Sequence, residues 1–109
     1  MMRVVTAEER RERRNLLSLF FLCKAREDLS LAVRDLDRGH QQTAVGVAHQ
    51  LKGAGTTLGF PEVTARASRV LRQLDEPSKA RARDSLANLQ RVVELRLNDL
   101  DDTVQEEVN

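Results

Sequence analysis

The chain has 109 residues, 40% of them hydrophobic, with three Phe, no Trp, no Tyr and a formal net charge of +1. That length fits one domain able to bury a core without metal or disulfide staples. A near-neutral balance excludes a whole-molecule field that would gather nucleic acid or an anionic membrane, and the lone Cys23 excludes an internal disulfide.

Thr6 followed by Glu9 makes a capping-box pattern, which predicts a helix from about Ala7. No breaker intervenes before Arg38. Within that span Leu22, Ala25, Leu29, Ala32, Val33 and Leu36 recur every three or four residues, the spacing of one buried face. The segment before Leu16 has no apolar stripe and is expected to project, so residues 7–38 are open to being one rod or two helices. Gly39 is a natural stop. A second helix is expected from about Gln41 to Leu58, with Ala44, Val47, Ala48, Leu51, Gly55 and Leu58 on one side. Gly59 ends it, and Pro61 suits the first turn of a third helix. There Val63, Ala67, Val70, Leu71 and Leu74 form the inner face. Asp75, Glu76 and Pro77 break the chain, and Ser78 is the expected N-cap of the last helix. In that helix Leu86, Leu89, Val93, Leu97, Leu100 and Val104 approach a heptad seam. No segment alternates with the period of a half-buried strand. The reading is all-α: an antiparallel four-helix bundle with an N-terminal helical extension, divided as residues 1–15 (basic extension) and 16–109 (bundle).

The second helix carries the functional signal. Its apolar stripe leaves His49 on nearly the opposite side, facing solvent. Gly46 and Gly53 lie one turn before and one turn after it on the same face. Each glycine inside a helix costs roughly 1 kcal/mol relative to Ala. Packing within the bundle gives no reason for glycine on a solvent face, whereas close approach of an outside group to the imidazole does. Lys52, three residues on, is its surface neighbour. Imidazole is a good nucleophile near pH 7, and an adjacent ammonium can meet the charge of a phosphoryl group. A surface histidine taken alone is most often only solvated; the two glycines and Lys52 are what favour chemistry. Gly55 falls on the buried stripe and is expected to permit close helix contact.

The run His49-Gln50-Leu51-Lys52-Gly53 followed by Ala54-Gly55-Thr56-Thr57-Leu58-Gly59, with Ala48 before it, resembles the signature of histidine-containing phosphotransfer (HPt) domains. The resemblance extends over roughly residues 16–75 and includes Phe21-Leu22, Glu27-Asp28-Leu29 and Leu36 with Arg38-Gly39. It implies that His49 accepts phosphate, through Nε2, and that Lys52 stabilises the phosphoryl group. Gly53 would give the partner access and Gly59 would close the helix. Gly46, Gln50 and Thr56 are expected on the docking surface. Arg66, Arg69 and Arg72 make the third helix more basic than the family's usual one, and they either join that surface or form a solvated face. The implied role is relay between receiver-domain aspartates, with response-regulator receivers and hybrid histidine kinases as partners. No cofactor or metal of its own is expected, since Mg²⁺ belongs to the receiver and no ATP-binding motif is present.

A cytoplasmic monomer is expected, without a nucleic-acid or membrane partner, although the long first segment and heptad-like last helix leave a dimer open. His40 and His49 are too far apart in sequence for a helical metal pair, and Cys23 reads as packing. Arg10, Arg11, Arg13 and Arg14 are interrupted by Glu12, and Glu9–Arg13 has ordinary helix-stabilising spacing. The alternative function is a helical adaptor that binds receivers or other signalling partners without carrying phosphate.

Overall fold

The computed structural model describes residues 4–108, apart from the side chains of residues 104, 107 and 108; Val104 of the last seam lies outside that set. Four helices follow one another: α1 (Ala7–Asp37), α2 (Gln42–Leu58), α3 (Pro61–Leu74) and α4 (Ala80–Val108). No strand occurs among the described residues. The chain is an all-α bundle in which α1 packs on α2, α2 on α3, α3 on α4 and α4 back on α1.

Residues 7–37 form one continuous rod. Thr6 caps it, its hydroxyl accepting the Glu9 N–H at 3.1 Å. Leu22, Ala25, Leu29, Ala32 and Leu36 enter the core from α1, with Ala44, Val47, Ala48 and Leu51 from α2. Val63, Ala67, Val70 and Leu74 come from α3, and Ala82, Leu86, Leu89, Val92, Val93 and Leu97 from α4. Alanines at six of these positions bring the helix axes close while the leucines fill the space between them. Val33, Leu71 and Leu100 of the expected stripes are only partly buried against this core, and Leu58, at the end of α2, is likewise only half-buried. From Ala7 to Leu17 no side chain of α1 is buried, so the first three turns extend beyond the four-helix region.

Cross-links fix the directions. Asp37 of α1 pairs with Arg83 of α4 at 2.8 Å, and eleven residues back along α1, Arg26 meets Glu94, eleven residues forward along α4. The same antiparallel register ties α3 to α4: Gln73 bonds Ser85, and Glu62 bonds Arg96. Such exposed ion pairs contribute little energy each, ~0–1 kcal/mol; burial holds the bundle together. The start of α4 differs by a residue or two from expectation. The Ser78 hydroxyl accepts the Ala80 N–H at 3.3 Å, while the Lys79 ammonium donates to the Leu74 and Glu76 carbonyls and closes α3.

The α1–α2 turn is organised around Asp35. Gly39 adopts φ +85°, which only glycine takes without strain, and the His40 N–H reaches the Asp35 carbonyl at 2.8 Å. The Thr43 hydroxyl donates to the Asp35 carboxylate at 2.6 Å, bridging the two helices. That hydrogen bond, opposed by desolvation and aided by Arg34, His40 and Arg38, holds the Asp35 carboxyl below its ordinary value. A lowered carboxylate contributes stability that is full above the usual carboxylate range and is lost as pH falls through the lowered value. Thr43→Val should therefore flatten the acid limb of a Tm-against-pH curve, leaving its neutral limb lower but parallel. An acid limb with unchanged slope would contradict the assignment.

Candidate functional site

The α2 sequence sorts its side chains by face. Ala44, Val47, Ala48, Leu51 and Gly55 point into the core, and His49, Gln50, Lys52, Gly53 and Thr56 are exposed. A Cβ added at Gly46 or at Gly53 would meet nothing within 4 Å. The turns before and after His49 are therefore open to solvent, and no contact inside the chain accounts for glycine at either position.

Gly55 is the reverse case. A Cβ there would stand 2.6 Å from the Thr64 hydroxyl and 3.1 Å from both the Phe60 carbonyl oxygen and the Thr64 nitrogen. The missing side chain lets α3 approach α2 until Thr64 donates to the Lys52 carbonyl at 2.9 Å. Thr56 also donates to that carbonyl, at 3.3 Å, and its hydroxyl lies 3.1 Å from that of Thr64. Gly59 follows in the left-handed region at φ +82°, and the Phe60 N–H closes the helix on the Gly55 carbonyl at 2.7 Å. Phe60 then stacks on Phe21 of α1, ring centroids 6.0 Å apart. The turn of α2 that bears Lys52 is thus tied to α3, and its C-terminal end to α1.

Close approach of α3 builds a shallow open depression lined by Val45, His49 and Lys52 of α2 and by Leu71, Arg72, Leu74 and Asp75. His49, Lys52 and Arg72 form no ion pair with any described residue. Two exposed cations beside an exposed imidazole can receive an anion that becomes attached to the ring. On the other flank of α2, Gln50 and Ala54 share an apolar groove with Phe20, Phe21, Lys24 and Asp28 of α1.

Of the residues singled out from the sequence, His49, Lys52, Gly46, Gly53, Gln50 and Thr56 lie together on the exposed side of α2. Arg66 and Arg69 are not brought to it. They share a stripe of α3 with Glu62 and Gln73, both bonded to α4, so they lie on the flank turned away from α2. Arg72 is the arginine that reaches the His49 depression. Basicity alone groups Arg72 with Arg66 and Arg69; its place on the Thr64–Ser68–Leu71 side of α3, which Thr64 ties to Lys52, sets it apart. Among the described residues no group of three or more His, Cys, Asp or Glu gathers where it could hold a metal. No helix among them is long and apolar enough to cross a membrane.

The family model of the Hpt domain matches residues 17–106. No curated protein and no solved structure matches the chain at a significant level.

The glycines of α2 should separate in sign. Gly53→Ala replaces a solvent-facing helical glycine and should raise stability by about 0.5–1 kcal/mol. Gly55→Ala forces α3 away from α2 and should lower it by about 1–3 kcal/mol. Thermal unfolding of both variants measures this. Equal shifts in the same direction would contradict the close approach at Gly55.

Proposed function

The chain belongs to the Hpt domain family, which assigns it to histidine phosphotransfer in two-component signalling, and on that premise we propose that His49 relays a phosphoryl group between receiver-domain aspartates. Residues 16–109 are the phosphotransfer bundle in this reading, and residues 1–15 are its N-terminal extension, helical from Ala7. The observation that carries the proposal is the open ground around His49: an exposed imidazole flanked by Gly46 and Gly53, where a Cβ would touch nothing in this chain.

In the proposed step the lone pair of His49 Nε2 attacks phosphorus in line with the bond to the receiver's aspartate. The P–O bond breaks, its electron pair returns to the aspartate as carboxylate, and the phosphorylated ring loses the proton on its other nitrogen to solvent or retains it. Transfer to a second receiver runs the same step in reverse. Lys52, and Arg72 across the depression, face the phosphoryl oxygens and offset their charge. The helix contributes position. Tied to α3 through the Lys52 carbonyl and closed at Gly59, α2 holds the ring for in-line attack without reorganising.

Receiver domains and hybrid histidine kinases are the proposed partners. The docking surface comprises Gly46, Gly53, Gln50 and Thr56, and it continues into the part of the α1–α2 groove that Gln50 shares with Phe21. Of the three arginines of α3, Arg72 is the one that lines the depression with His49. The receiver supplies the Mg²⁺ of its own acidic pocket. The location proposed is the cytoplasm.

A phosphorylated receiver incubated with the wild-type chain should transfer acid-labile, base-stable label, and His49→Gln should accept none. A folded wild type that binds receivers yet takes no label from several of them would instead indicate an adaptor. Gly53→Ala should slow transfer by about tenfold (~1.4 kcal/mol) despite its higher Tm. Arg72→Ala should shorten the lifetime of the phosphorylated chain about three- to tenfold at unchanged Tm, and an unchanged lifetime would remove Arg72 from the site.

A further inference from the structure

α1 has two apolar faces, and the bundle uses one. Leu22, Ala25 and Leu29 mark the buried face. On the opposite side Leu16 is 58% exposed and Phe20 79%, with Leu17 beside them at 61%. Leu16, Leu19, Phe20 and Cys23 line one open depression on the outside of the helix, with Lys24 and Glu27 at its C-terminal edge. Leu31, eleven residues beyond Phe20 and on nearly the same face, is 46% exposed, separated from the strip by Lys24 and Glu27. Single exposed apolar residues are ordinary, but a contiguous apolar strip on one helix marks a surface that something covers.

The flanking charges identify what fits there. Arg13 stands seven residues before Phe20 and Glu27 seven residues after it. Seven residues are close to two turns, so all three share a face. Both charged side chains are exposed, and neither forms an ion pair with a described residue. A second copy of α1 laid antiparallel about a twofold axis at Phe20 places Phe20 on its counterpart. It also places Arg13 of each copy against Glu27 of the other, and symmetry makes this contact twice. A parallel copy would instead set Arg13 against Arg13 and Glu27 against Glu27, which is repulsive. The projecting first turns of α1 supply the length, since overlap from Glu9 to Leu31 spans ~35 Å of helix.

We propose that the chain forms a twofold-symmetric homodimer through the outer face of α1, centred on Phe20 and held in antiparallel register by reciprocal Arg13–Glu27 pairs. The dimer departs from the monomer expected of the sequence, and it does not depend on the phosphotransfer reading.

Light scattering coupled to size exclusion, run on the full chain over a micromolar-to-millimolar series, tests it. The mass should rise from one chain to two. Phe20→Glu should weaken the dissociation constant at least about tenfold, with the helical signal and Tm retained because Phe20 lies outside the core. Arg13→Glu and Glu27→Arg should each weaken it, and the double variant, which restores opposite charges across the axis, should recover the dimer. A wild type that stays monomeric at the top of the series, or a double variant no better than either single one, overturns the proposal. A monomeric wild type whose Phe20→Glu variant loses receiver binding also overturns it and gives the strip to the receiver.

Discussion

The approach of α3 to α2 at Gly55 is the contact on which the site depends. Only a residue without a Cβ admits the Thr64 hydroxyl and the Phe60 carbonyl at that distance. Once they are admitted, Thr64 bonds the Lys52 carbonyl, and α3 lies close enough along α2 to bring Arg72 and Asp75 beside His49 and Lys52. The rest of the bundle follows outward from that pair. α3 is registered against α4 through Glu62–Arg96 and Gln73–Ser85, and α4 against α1 through Arg83–Asp37. The imidazole is exposed, yet the helix that carries it is packed against both α1 and α3.

α2 contains three glycines that serve opposite ends. Gly55 sits inside the bundle and strengthens it by allowing contact. Gly46 and Gly53 sit outside and weaken it, since each forgoes the helix propensity of alanine without any contact in return. Stability lost at a place with no internal reason is what a surface shaped by a partner looks like. The apolar groove between α1 and α2 and the cations of the α2–α3 depression lie on either flank of that cleared ground. A partner seated over it would meet apolar surface on one side and positive charge on the other.

Most of the fold was legible because helix periodicity and punctuation agree. The stripes through Leu22 to Leu36, Ala44 to Gly55 and Leu86 to Leu97 reappear as buried faces, and Gly39, Gly59 and Pro61 stand at the helix ends foreseen. His49 and its glycines were legible for the same reason, since the face opposite an apolar stripe must be exposed. Periodicity does not say which flank of α3 turns towards α2. Arg66 and Arg69 lie on one flank and Arg72 on the other, and only the winding of the bundle chooses between them. The continuity of α1 was also undecided from sequence. Its polar first turns give no packing signal, and the helix simply persists through residues with no breaker among them. The caps around Ser78 and Lys79 depended on where a flexible ammonium reaches, which spacing alone does not fix.

Two histidines are exposed, His40 and His49, and the proposed role requires that only His49, on the helix face left open at Gly46 and Gly53, takes phosphate. Two-dimensional NMR correlating phosphorus with ring protons, on the chain treated with phosphoramidate, tests it most directly. The P–N bond of that donor breaks as ammonia leaves, so no receiver is needed and partner choice does not enter. A single phosphorus resonance is expected, correlated with the His49 ring and attached at Nε2, with His40 unmodified. Phosphate on His40, or equal label on both rings, would contradict it.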